Sequence, residues 1–504
     1  MCRALMIQGT GSGVGKSVIA MALCRIFSNH GIKVSPFKAQ NMALNSFITL
    51  EGGEIGRAQA LQAEAARVEP SIHMNPVLLK ASGDMGSQVI IHGKVHSNMK
   101  AKEYYLFRKE AWAAAKDSFD RLASIFDLII LEGAGSPAEI NLMEVDIVNM
   151  RAAEYAGAPV LLVGDIDRGG VFASLYGTLK LVGNHSRRIK GFIINKFRGD
   201  IEILKPGLEL IRQKTKRPVI GVLPYVDDMG LPEEDGLSLK DLSRGKEAQS
   251  AELRIVVVRL RYISNFTDFD PLRYEPDVEM LYSNNPDDIE NADLVIVPGS
   301  KNTAKDLLEL RKNGTEDSIL RAHRKGITVV GICGGYQMLG KVIRDPLGIE
   351  SEHKEIKGIG LLDIETVFNR QKTTCQIRAV TGNHGMLKEV TNLHDCGTIK
   401  GYEIHMGESV GNTGLFFMER INGSGGPIAD GTASENCWGT YIHGIFDNDQ
   451  FRRSVLNRIR LKKGLRAVDF GTNYQAIKES AIERTANMVR EGLDMPFIER
   501  LLRL

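Results

Sequence analysis

Through the first 230 residues, short apolar runs alternate with longer stretches whose apolar positions recur at helical spacing. Ala4–Gln8, Lys33–Phe37, Asp127–Leu131, Pro159–Val163, Gly191–Asn195 and Pro218–Leu223 read as buried strands, with helices such as Ser17–His30 and Gly56–Arg67 between them. This alternation predicts a parallel sheet covered on both faces, in a first domain over 1–236. The polar stretch Leu237–Glu252 reads as a linker. Strand-like runs restart at Leu253–Leu260, Leu294–Pro298 and Thr328–Cys333, then continue at Gly358–Thr366, Cys375–Val380 and Trp438–Ile442. They predict a second α/β domain over 253–448 whose sheet becomes mixed. From Asp449 the spacing turns helical, through Phe451–Arg466 and Tyr474–Leu504. A helical extension over 449–504 is expected, with an amphipathic helix covering the second domain. Its basic charge leaves a nucleic-acid arm as the alternative.

Composition narrows the class. The 504 residues are 43% hydrophobic and 25% charged, which excludes disordered and fibrous chains. A formal charge of +2 supplies no long-range pull toward nucleic acid or an anionic membrane. The six cysteines, at 2, 24, 333, 375, 396 and 437, form no CxxC pair and fit reduced thiols. The N-terminus lacks signal-peptide character, and no apolar run reaches the ~18 residues of a membrane span. A soluble cytoplasmic protein is expected, with neither nucleic acid nor membrane as partner.

The run Gly9-Thr10-Gly11-Ser12-Gly13-Val14-Gly15-Lys16-Ser17 follows a strand and opens a helix. Its glycines let backbone N–H groups turn toward phosphate oxygens, and the helix N-terminus adds partial positive charge. Lys16 is placed for the β- and γ-phosphates of ATP, and Ser17 for Mg²⁺. The usual GxxxxGK[ST] spacing needs Gly at position 10, where this chain has Thr10. Glu132, at the carboxyl end of a buried strand, is the second candidate Mg²⁺ ligand. Asp165 and Asp167 end another strand, at the edge where open α/β sheets bind ligands, and are candidate substrate contacts. Asn195 either contacts adenine or forms a simple turn. Gln40, Asn41, Asn45 and Ser46 offer amide and hydroxyl groups to a substrate, unless they form an ordinary polar loop.

Cys333 stands between a strand and a helix in Gly331-Ile332-Cys333-Gly334-Gly335, the pattern of a nucleophile elbow. The helix N-terminus favours the thiolate. Gly334 N–H is a candidate oxyanion donor, and the loop at Gly299 a second. A base is needed. His443, about 110 residues downstream after a strand, is the candidate; His405 competes but reads as structural or close to the domain interface.

The phosphate loop's variant spacing resembles dethiobiotin-synthetase-like ATPases. The related partition ATPases carry a second lysine where this chain has Gly11, which counts against a nucleotide-switched binding protein. Cys333 and His443 resemble the class I glutamine amidotransferases, although Ile445 replaces the Glu of their HxE pattern. With Pro36–Ser46, Asn75–Lys80, Glu132–Leu142 and Gly164–Gly170 added, nearly the whole chain resembles the cobyric acid synthase family of the cobalamin pathway. Cobyrinate a,c-diamide synthases look different after the strand-end Glu. The resemblance implies a doubly wound P-loop domain, a flavodoxin-like class I amidotransferase domain and a helical tail. It further implies amidation of the b, d, e and g carboxylates of adenosylcobyrinate a,c-diamide. The corrinoid and L-glutamine would be the small-molecule partners, with ATP and Mg²⁺. A different ATP-dependent amidotransferase is the alternative.

Overall fold

The computed structural model describes residues 2–83, 86–232, 251–382, 397–421, 426–469 and 471–504, so 237–250 of the expected linker lies outside the described residues. The first half contains β1 (Arg3–Gly9), β2 (Val34–Phe37), β3 (Gln40–Met42), β4 (Ser46–Ile48), β5 (Glu54–Gly56) and β6 (Val77–Gly83). It continues with β7 (Gly86–Ile91), β8 (Lys94–Lys100), β9 (Leu128–Glu132), β10 (Val160–Asp165), β11 (Ile189–Phe197) and β12 (Val219–Pro224). Six of these form one all-parallel sheet in the order β12-β11-β10-β1-β9-β2. Each strand matches one apolar run of the sequence. Helices α1 (Lys16–Asn29) and α2 (Arg57–Ala65) bury apolar residues against one another and the sheet. The strand order reverses beside β1, so a crevice opens at the carboxyl ends of β1, β9 and β10.

A second, smaller sheet has the order β3-β6-β7-β8, and β4–β5 form a ribbon beside it. Strand alternation divides its side chains. Val77, Leu79 and Val89 pack on Phe107 and Ala111, while Leu78 and Ile90 pack on Ala43 from the other side.

The second half adds β13 (Leu253–Val258), β14 (Val278–Ser283), β15 (Leu294–Val297), β16 (Thr328–Ile332), β17 (Val342–Arg344) and β18 (Glu355–Lys357). It ends with β19 (Ile364–Thr381), β20 (Ile399–Gly411), β21 (Phe416–Arg420), β22 (Ile428–Asp430), β23 (Thr432–Ser434) and β24 (Cys437–Thr440). Its main sheet, β14-β13-β15-β16-β24-β23, is parallel except at β23. A mixed sheet built on the long β19–β20 pair lies beside it. The expected strand Gly358–Thr366 begins only at Ile364. The preceding segment turns instead, with Gly360 at φ 82°.

The C-terminal helices divide between the two halves. Helix Asp449–Lys462 packs Phe451, Val455, Leu456 and Ile459 into the second core, as expected. Its buried Arg452 and Arg453 pair with Glu275 and Asp277. Helices Tyr474–Gly492 and Met495–Leu502, by contrast, return to the first half, where Ile482, Ala486, Val489 and Ile498 join the core under α1. The reason is a matched polar and apolar face: Arg25 of α1 is buried against Glu479 and Glu483 of the returning helix. Among the described residues, no helix is long and apolar enough to cross a membrane.

Candidate active sites

The phosphate loop sits in the crevice foreseen by the strand order. Gly13 and Gly15 hold φ values of 71° and 101°, which side chains other than glycine rarely adopt. A Cβ on Gly15 would lie 2.1 Å from Asn195 Nδ2, and that amide donates to Val14 O at 2.9 Å. Asn195 therefore braces the loop from β11 while also lining the cleft. Lys16 Nζ lies over the loop, donating to Gly11 O (2.7 Å) and Gly135 O (3.1 Å). Ser12, Gly13, Gly15, Lys16 and Ser17 line a cleft of about 1140 Å³, and Gly9, Thr10, Gly11 and Val14 carry the backbone around it.

Glu132 ends β9 in the same cleft, almost wholly buried. Its Oε1 accepts from Ser17 Oγ (2.8 Å) and Lys38 Nζ (2.8 Å), and its Oε2 from Gln59 Nε2 (3.3 Å) and Gln62 Nε2 (2.5 Å). A serine hydroxyl beside a carboxylate is the hard oxygen pair that Mg²⁺ prefers, so this donor set fits the ion. Lys38, Gln59 and Gln62 were not marked by the sequence pattern. They come from the end of β2 and from α2, and no motif spacing ties them to Glu132.

The expected substrate residues separate into two groups. Gln40 and Asn41 line the cleft, where Gln40 Oε1 accepts from Tyr104 and Asn41 Nδ2 donates to Gln59 Oε1 at 2.9 Å. Asn45 and Ser46 do not line it. Asn45 Oδ1 accepts from Phe266 N (3.2 Å), and Ser46 N donates to Asn265 Oδ1 (3.2 Å), so both dock onto the second half. Asp165 and Asp167 also stand outside the cleft. Asp165 registers with Asn195 on neighbouring β11, which brings Lys196 Nζ to 2.9 Å, and Asp167 pairs with Arg198 at 3.2 Å. Asp165 holds the rim of the phosphate loop through Lys196, which also donates to Gly13 O at 2.8 Å.

The second cleft is smaller and holds Cys333 and His443 together. Cys333 has φ 52° and ψ −107° at the start of helix Gly334–Leu339, a strained turn that lifts the thiol off β16. Only glycine fits the turn's inner side: a Cβ on Gly335 would lie 1.8 Å from Val297 O. The thiol donates to Ile404 O at 3.5 Å. A Cβ on Gly334 would lie 2.8 Å from Ser300 N, and one on Gly299 3.3 Å from His443 Cε1, so both loop residues stand beside the elbow. The carbonyl of Gly299 accepts from Ser264 N at 2.9 Å.

His443 follows β24 and is buried, its ring stacked 5.2 Å from that of Tyr402. Its Nδ1 lies 2.6 Å from Oδ2 of Asp268, which fixes the proton on that nitrogen and leaves Nε2 for the cleft it shares with Cys333. Burial alone lowers the pKa of the imidazole. The charges of Asp268 and Cys333 outweigh it and push the value up to about 10. Asp268 thus takes the place of the missing HxE carboxylate. It sits on the short turn Phe266–Phe269 after β13, and Ile445 is packed into the core. His405 is held at both ring nitrogens, by Gly407 O (2.7 Å) and Glu403 Oε1 (3.1 Å), and stacks on Tyr441. It supports the cleft as a structural residue. At the far side, burial pushes the Glu350 carboxyl up to about 7.

Comparison with known proteins matches each half to a family model. Residues 5–239 match the CobQ/CobB/MinD/ParA nucleotide binding domain, and 254–451 match the CobB/CobQ-like glutamine amidotransferase domain. A cobyric acid synthase of Thermodesulfovibrio yellowstonii is 50% identical over 98% of this chain and 98% of its own length. Those of Caldanaerobacter subterraneus and Thermoanaerobacter sp. are 51% and 50% identical over 100% of this chain and 99% of theirs. With a nucleotide-binding half, an amidotransferase half and such relatives along its whole length, the chain belongs to the cobyric acid synthase family of glutamine-dependent amide ligases.

Proposed function

We propose that this enzyme amidates the b, d, e and g carboxylates of adenosylcobyrinate a,c-diamide, drawing ammonia from L-glutamine and energy from ATP. The observation that carries this reading is the pairing of a phosphate-loop cleft with a cysteine elbow in one chain whose relatives are cobyric acid synthases. Cys333 Sγ attacks the glutamine side-chain carbonyl, and the N–H groups of Gly334 and Ser300 hold the oxyanion. His443, kept protonated by Asp268, gives its proton to the departing nitrogen. The resulting thioester is hydrolysed, releasing glutamate and freeing Cys333.

In the larger cleft, Lys16 and the loop N–H groups hold the nucleotide phosphates, and Gln40 and Asn41 face the substrate. Ser17 and Glu132 would hold Mg²⁺, which when bound neutralises charge on the transferring phosphoryl group. A substrate carboxylate attacks the γ-phosphorus and ADP leaves. Ammonia then displaces phosphate from the acyl phosphate to form the amide. A volume of about 1140 Å³ exceeds what a nucleotide alone needs and suits a macrocycle beside it. The test is mass spectrometry of adenosylcobyrinate a,c-diamide incubated with enzyme, ATP, Mg²⁺ and glutamine. Each acid-to-amide step lowers the mass by about one unit. Four successive steps are expected, and an unchanged corrinoid would refute the assignment.

A further inference from the structure

The two clefts share a wall. Along β6 and β7, Leu79, Ala81, Ser87 and Val89 line the phosphate-loop cleft, while Lys80 lines the Cys333 cleft. Gln88 also points to the Cys333 side, its Oε1 accepting from Lys372 Nζ at 3.3 Å. Lys80 Nζ donates to Glu54 Oε1 (2.9 Å) and to Ser46 Oγ (3.0 Å), and Lys372 Nζ of β19 donates to Glu54 Oε2 (2.5 Å). The side chains of Glu54, Lys80 and Lys372 are only 1%, 3% and 9% exposed.

Burying three charges costs several kcal/mol of desolvation for each, a cost that stability alone does not explain, since apolar replacements often serve as well. The triad also belongs to neither set of reacting groups. It joins the halves, with Glu54 on β5 and Lys80 on β6 from the first and Lys372 on β19 from the second. From it the segment Gln40–Ser46 runs to the other cleft, with Ser46 at the triad and Gln40 and Asn41 lining the far side.

We propose that the Glu54–Lys80–Lys372 triad is the gate through which ammonia made at Cys333 passes to the phosphate-loop cleft. The proposal rests on the amidation reading above. Two ammonium groups around one carboxylate leave an excess positive charge, which repels ammonium and admits neutral ammonia. Beyond Ser46, its strand partner Gly56 lies against the Asn41 and Gln59 amides, where a Cβ would come within 2.5 and 2.8 Å of them.

The test supplies amide-¹⁵N-glutamine together with unlabelled ammonium salt and reads two ratios: ¹⁵N in the corrinoid amide, and amide formed per glutamate released. In the unaltered enzyme, most product nitrogen should be ¹⁵N and the second ratio should be near one. In Glu54→Gln and Lys80→Met, both ratios should fall at least about fivefold, with amidation from ammonium salt retained as proof of a folded first half. The triple variant Glu54→Met/Lys80→Met/Lys372→Met removes all three charges without stranding one, and serves if the single variants do not fold. Unchanged ratios overturn the proposal. A raised KM for glutamine with unchanged ratios does so too, assigning these lysines to glutamine binding instead. An unaltered enzyme that forms no amide from glutamine would refute the amidation reading itself.

Discussion

Nδ1 of His443 and Oδ2 of Asp268 lie 2.6 Å apart although 175 residues separate them in the chain. The pair is buried, and the carboxylate also accepts from Gly444 N at 3.2 Å. Asp268 therefore fixes the imidazole by position and by charge. Asp268→Asn should lower glutamine-driven glutamate release by on the order of 10²–10⁴, as loss of a triad carboxylate does elsewhere. Amidation from ammonium salts should persist, and steady-state rates with the two nitrogen sources compare the losses directly.

The same pair sets a pH dependence. The His443 pKa stands at about 10, above an ordinary value of about 6.5. Its stabilising contribution is thus complete below about pH 6.5 and is lost as pH climbs through about 10. The melting-temperature gap between the unaltered enzyme and Asp268→Asn should be widest at the acid end and narrow across that window. In Asp268→Asn, the alkaline limb of the glutaminase profile should also move to lower pH.

The two centres should be separable. Cys333→Ala should abolish glutamate release and leave ammonium-driven amidation near its original rate. Lys16→Ala should stop amidation from either nitrogen source, because the phosphate contacts serve both. Assays with glutamine and with ammonium chloride, run side by side, would expose a misassignment of either residue.

Arg452 is wholly buried and donates to Glu275 Oε1 (2.6 Å) and to Phe446 O (2.7 Å). Removing it leaves the buried Glu275 carboxylate to Arg453 alone, at 3.0 Å, and takes a donor from the Phe446 carbonyl. Arg452→Ala should destabilise the second half by about 3–5 kcal/mol, read from chemical denaturation.

The inner strands of the main sheet in the first half, such as β9 and β10, were legible because they are buried on both faces and so read as apolar runs. The small sheet was not. Its strand β8, Lys94–Lys100, is mostly exposed and its sequence KVHSNMK alternates weakly. Cys333 and Lys16 declared themselves through glycines that the local backbone requires. Asp268 carried no such mark, since its function arises only when the turn after β13 meets the end of β24. Asn45 and Ser46 were misplaced for the opposite reason: polar residues at a sheet edge suit a substrate or a neighbouring domain equally well, and here the neighbour takes them.

The chain leaves the first half once and comes back to it, ending with Ile482, Val489 and Ile498 against α1. Cutting the gene between the halves would therefore yield a nucleotide-binding fragment with a bare oily flank, prone to clump unless the last thirty or so residues were supplied separately. The return also tethers the halves twice, which restricts how far they can swing apart.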